Sequence, residues 1–197
     1  MRGTTTRTRW NFLPAVLAGM LVTVPAFGQQ LPDRQGFFDI RSASTTLNEG
    51  VHELEARLQL ILSDEALDAL NSGVLVTIEL DFEVIRVRGL WLDAQVAALT
   101  FDYELEYRPL SERYIVRNLN SGDQDAFSTL YSALNNLGRI QDLPVIDDAV
   151  LDPGSDYRLR LRARLSTRQY PSALRLLFFW RSQWQLQSEW YEWMLER

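Results

Sequence analysis

The chain has 197 residues, with 20 Lys+Arg against 26 Asp+Glu, a net charge of −6, one histidine and no cysteine. That length accommodates one domain. The acidic balance argues against nucleic acid as a partner, and the missing cysteines exclude disulfides. Every strongly basic residue is arginine, so Schiff-base and general-base chemistry by lysine is also excluded.

The N-terminus reads as a processing segment. Arg2, Arg7 and Arg9 form a basic start without acidic residues, Phe12–Val24 is an apolar run, and Ala26-Phe27-Gly28 offers small residues at a signal-peptidase site. A signal peptide over 1–28 is predicted, with a mature domain over 29–197 in the periplasm. The alternative is an inner-membrane anchor through the uncleaved segment, which would be the sole membrane contact. It is disfavoured because the run is short of the roughly 20 residues a span needs and carries Pro14. No Arg-Arg pair indicates twin-arginine export, and no cysteine follows to take a lipid anchor. Cleavage leaves 17 basic residues against 26 acidic ones, a net charge of −9.

After a polar leader, Phe37–Leu47 and Val51–Leu62 are β-prone runs joined by Asn48-Glu49-Gly50, which predicts a hairpin. Ser63 is an N-cap with Asp64 and Glu65 behind it and Gly73 as the stop, so a short helix spans 63–72. Val74–Val84 alternates strictly, with Glu79, Asp81 and Glu83 on its polar face. Leu99–Tyr107 repeats the pattern with Asp102, Glu104 and Glu106. Glu112–Leu119 is a short strand. Phe127, Leu130, Tyr131, Leu134 and Leu137 form one helical stripe, predicting a helix over 124–137. Ile140–Leu151, with Pro144, reads as an irregular connection, and Asp152-Pro153-Gly154-Ser155 as a tight turn.

Tyr157–Leu165 alternates apolar residues with Arg158, Arg160, Arg162 and Arg164, so one strand face is wholly cationic. Ala173–Trp180 is an apolar run whose periodicity decides nothing. Trp184–Trp193 alternates and reads as the last strand, with Trp184 and Trp190 facing inward and Tyr191 and Trp193 on the opposite face. The sum is a mainly β chain: a single antiparallel β-sandwich of immunoglobulin-like size, about seven strands, with two short capping helices.

Four arginines in a row demand anions. The simplest arrangement sets them beside an acidic strand as cross-strand ion pairs. The functional alternative is a stripe for an anionic envelope glycan or lipid, with Arg158, Arg160, Arg162, Arg164, Tyr191 and Trp193 as candidate binding residues. No catalytic residue is assigned. His52, the only histidine, falls in the apolar phase of its strand, and neither a zinc-protease motif nor a nucleophile elbow is present. No metal and no cofactor are called for; Asp123-Gln124-Asp125 and Asp147-Asp148 fall short of a calcium loop. A paired-carboxylate envelope hydrolase is the third reading, weakened because acids on solvated strand faces lack the desolvation a general acid requires.

The acid-faced strand Val76–Val84, the alternating arginine strand and the closing Trp-x-Leu-x-Ser-x-Trp-Tyr-x-Trp over Trp184–Trp193 resemble an uncharacterised family of exported proteobacterial proteins. The resemblance covers nearly all of the mature chain and carries no functional residue with it. It implies, through gene neighbourhoods, a partner in the extracytoplasmic part of a membrane sensor histidine kinase. The lack of a catalytic motif together with an exported, charge-patterned sheet makes a non-catalytic periplasmic interaction domain the expected function, with the oligomeric state left open.

Overall fold

The computed structural model of the chain describes residues 34–89, 92–168 and 182–196. The signal segment 1–28 and the apolar run 173–180 lie outside them. Two antiparallel sheets face each other across one hydrophobic core. The smaller has the order β1-β2-β7 and the larger β6-β5-β4-β3-β8-β9. The strands are β1 (Phe37–Asn48), β2 (Val51–Ile61), β3 (Val76–Arg86), β4 (Ala94–Arg108), β5 (Arg113–Asn118), β6 (Gln124–Phe127), β7 (Arg139–Asp147), β8 (Tyr157–Ser166) and β9 (Tyr191–Met194). The helices are α1 (Asp64–Asn71) and α2 (Leu130–Leu137). The architecture is thus the mainly β, sandwich-like arrangement read from the sequence, with nine strands among the described residues rather than about seven.

Local chemistry explains the connections. β1 and β2 pair from Phe37↔Ile61 to Asn48↔Val51. Glu49 and Gly50 both have positive φ, 48° and 87°, as a tight two-residue hairpin turn requires. The Ser63 hydroxyl accepts from the Ala66 amide and starts α1. Leu80, Phe82, Leu159 and Leu161, from β3 and β8, are fully buried, and Phe38, Ile40, Leu54 and Leu60 supply the other sheet's half of the core.

Three expectations need correction. The helix expected over 124–137 begins as a strand: Gln124–Phe127 pairs with Tyr114–Arg117, and the Thr129 hydroxyl, accepting from the Ser132 amide, starts the helix only at Leu130. Ile140–Leu151 is not irregular. Most of it is β7, paired with β2 and followed by a single 3-10 turn at Asp148–Val150. Pro144 is tolerated because β7 is an edge strand, and its ladder slips twice, with Asp142 at φ 48°. These two strands account for the difference in count.

The third correction concerns the C-terminal run, of which only Tyr191–Met194 is strand. Gln187 bridges Arg164, while further along Tyr191 opposes Leu161 and Trp193 opposes Leu159. Those two registers differ by one residue. Between them the Ser188 amide donates to the Ala163 carbonyl while the Ser188 hydroxyl accepts from the Ala163 amide. The extra residue flips the face of everything after it. Trp184 and Leu186 are buried in the core as expected, but Trp190 lands among the arginines, and Tyr191 and Trp193 turn to the core side.

Helix α2 is pinned against β2. The Leu58 amide donates to the Gly138 carbonyl at 2.7 Å. A Cβ added at Gly138 would stand 2.5 Å from the Leu58 carbonyl oxygen. That oxygen is backbone and cannot move aside, so Gly138→Ala is expected to cost about 1–3 kcal/mol, measured by urea unfolding. A midpoint equal to the parent's would show that the approach is looser than described.

Candidate functional site

Among the described residues, the arginine face of β8 and a cleft between the two helices are two candidate places for a site. Neighbouring strands determine the first. β8 pairs with β3 so that Arg160, Arg162 and Arg164 oppose Glu83, Asp81 and Glu79. Arg160 reaches Glu83 at 2.6 Å, Arg162 reaches Asp81 at 3.0 Å, and Arg164 spans Glu79 at 2.6 Å and Asp81 at 3.0 Å. Arg158 sits opposite Ile85 and pairs with Asp93 at 2.7 Å. Glu79 and Asp81 are buried, whereas the arginines keep about a quarter to a third of their side chains exposed. The Trp190 ring lies under Arg160 and Arg162, each guanidinium carbon 4.3 Å from its centroid.

The six residues proposed for anion binding are therefore not brought together. The four arginines share one sheet face with their carboxylates. Tyr191 and Trp193 lie on the other, where the Trp193 ring stands 6.1 Å from Phe82 and its indole N–H donates to Thr45 at 3.4 Å. The second acidic strand flanks β3 on the side away from the arginines. Its Glu104 pairs with Arg117 and its Glu106 with Arg108. Trp190 joins the arginines through the one-residue slip, which alternation alone does not reveal.

His52 is fully buried, its Nε2 2.9 Å from Asp148 Oδ1, while its Nδ1 has no hydrogen-bond partner. The pair links β2 to the turn after β7. Sealed from solvent, this imidazole is not placed to reach a substrate. Asp147 accepts from the Ala149 amide, and Asp123 from the Ser121 hydroxyl, so these acids organise turns. Among the described residues, no group of three or more His, Asp or Glu side chains converges to hold a metal. Burial raises the Tyr103 phenol above its ordinary pKa, and burial and then Tyr107 do the same at Tyr114. Both therefore remain neutral rings at the core's edge.

The second place is a cleft of about 490 Å³ lined by Leu58–Leu62 of β2 and the following turn, Leu67 of α1, and Leu130, Tyr131 and Leu134 of α2. β7 pairs with β2 only as far as Arg57↔Arg139, and Gly138 closes the ladder on Leu58. Residues Gln59–Ile61 thus have β1 on one side and the cleft on the other. Alternation directs the Leu60 amide and carbonyl to the same edge as the Leu58 amide. Tyr131, expected inside the helical stripe, is instead 80% exposed at the rim. Because α2 begins only at Leu130, Phe127 belongs to a strand and the buried residues of α2 are Ala133 and Leu137.

The family model of a domain of unknown function (DUF4390) matches residues 36–194. The chain belongs to that family. No curated protein and no solved structure matches it.

Cation–π stacking of Trp190 on two arginines is expected to stabilise the ladder by about 1–2 kcal/mol. Trp190→Ala should lose that amount in urea unfolding and Trp190→Phe only part of it. An alanine variant as stable as the parent would show the ring to be a bystander.

Proposed function

We propose that this member of the DUF4390 family is a non-catalytic interaction domain of the periplasm that accepts an extended segment of a partner protein as an added strand beside β2. The observation that carries this reading is the cleft, in which a strand edge at Gln59–Ile61, unpaired on that side among the described residues, adjoins an apolar trough. Main-chain hydrogen bonds from Leu60 would supply affinity, and the leucines of β2, α1 and α2 would select alternate apolar side chains of the guest. Export is supported by the basic start, apolar run and Ala26-Phe27-Gly28 at the N-terminus. The partner proposed is the extracytoplasmic part of a membrane sensor histidine kinase.

An anionic glycan or lipid along Arg158–Arg164 is the weaker reading. It would have to displace carboxylates already 2.6–3.0 Å from Arg160, Arg162 and Arg164. A hydrolase is weaker still, with the single imidazole enclosed. A photo-reactive residue at Tyr131, introduced in intact cells, should form a discrete adduct whose crosslinked peptide is an extended, alternately apolar segment. The same probe at fully exposed Leu110 should form none. An absent adduct at 131, or equal labelling from both positions, would contradict strand addition.

A further inference from the structure

Arg57 in β2 and Arg139 at the start of β7 are register partners. Their side chains leave the outer face of the smaller sheet side by side, on strands about 4.8 Å apart. On the other side of Arg57, its register partner in β1 is Ser42. Ser42, Arg57 and Arg139 therefore form a row of hydrogen-bond donors across all three strands. With Ser44, Glu55 and Gln141 they line a shallow pocket of about 140 Å³.

Like charges placed directly opposite on a sheet destabilise it. This protein avoids that cost on β8, where every arginine has a carboxylate within reach. Arg57 and Arg139 are both exposed, and neither has an ion-pair partner among the described residues. Glu55 lies in the same pocket, and Asp123 and Asp125 line the cleft on the far side of Arg139, yet none of these carboxylates is within ion-pair distance of either guanidinium.

We infer that the Arg57–Arg139 pair is a binding site for a dianionic tetrahedral oxyanion, a phosphate or phosphomonoester. Each guanidinium presents a planar fork of N–H donors that matches two phosphate oxygens, and the Ser42 and Ser44 hydroxyls add neutral donors. With Glu55 the pocket carries a net charge of +1, and a tetrahedral oxyanion has enough oxygens to meet both forks at once, whereas a carboxylate has only two. The pocket's size suits one phosphoryl group with the rest of the ligand in solvent. This site lies apart from the arginines of β8 and does not depend on the strand-addition reading.

Thermal unfolding of the purified protein, with inorganic phosphate added at constant ionic strength, tests the site. The parent should gain about 2–4 °C near saturation, and the Arg57 and Arg139 Nε–H signals should shift in NMR. Glu55→Gln should bind phosphate several-fold more tightly. Arg139→Gln should melt no lower than the parent without phosphate, since the like-charge contact is gone, and should lose the response. Flotation with vesicles of phosphatidylcholine containing phosphatidic acid separates the sources: binding that needs Arg139 assigns a lipid headgroup, and a response to phosphate alone assigns a soluble phosphate. If neither probe engages the parent or the Glu55→Gln variant, or if Arg139→Gln responds as the parent does, the inference is overturned.

Discussion

The pairing of β3 with β8 is the constraint on which the rest of the molecule depends. β3 lies inside the larger sheet between β4 and β8, and it is buried on both faces. One face gives the core Ile78, Leu80 and Phe82; the other encloses Glu79 and Asp81. Carboxylates so placed are costly unless paired and hydrogen-bonded. Arg160 and Arg162 pair with and hydrogen-bond Glu83 and Asp81, and Arg164 spans two acids, giving Glu79 a paired charge. A slip of one residue would move the arginines into the core and Leu159 and Leu161 out of it. Hydrophobic phase and charge therefore specify the same register, while β9 and Trp190 close the far side of β8.

What the ladder consumes is no longer available for recognition. Each arginine of β8 already has a carboxylate within ion-pair distance, although Nε of Arg158, Arg162 and Arg164 has no hydrogen-bond partner among the described residues, and these arginines serve as structural counterions. Among the described residues, the features left open lie elsewhere, on the smaller sheet: the edge of β2 beside the helices, and the Arg57–Arg139 pair on that sheet's outer face. Both arise because β7 starts at Arg139. Its first residue places one arginine against another, and the chain before it turns away at Gly138, leaving the end of β2 with no strand on that side among the described residues. One boundary in the chain thus generates both candidate recognition features.

Local and strictly periodic chemistry made much of the fold legible in the sequence. Glu49-Gly50 specified the hairpin, Ser63 the start of α1, and the alternation of Val76–Val84 and Tyr157–Leu165 both central strands; which of the two acid-faced strands meets the arginines was not legible, because Val76–Val84 and Leu99–Tyr107 carry the same pattern. Irregularity concealed the rest. β7 carries Pro144 and slips in register around Asp142, so its alternation is broken. β6 is four residues long and runs into α2 with an apolar residue, Phe127, that fits a helical stripe equally well. Trp190 changes faces through one extra residue near Ser188, which no pattern of alternation encodes. The cleft is assembled from β2, α1 and α2, segments distant in the chain, and only their packing defines it.

The claim that charge pairing fixes the β3–β8 register is tested most directly by a thermodynamic cycle on Asp81→Ala and Arg162→Ala, made singly and together and read by urea unfolding. Direct pairing at 3.0 Å predicts that the double variant loses less stability than the two single losses combined, with a coupling of about 0.5–3 kcal/mol. Losses that add to within about 0.3 kcal/mol would mean that the two residues do not depend on each other, and that hydrophobic phase alone holds the strands in place.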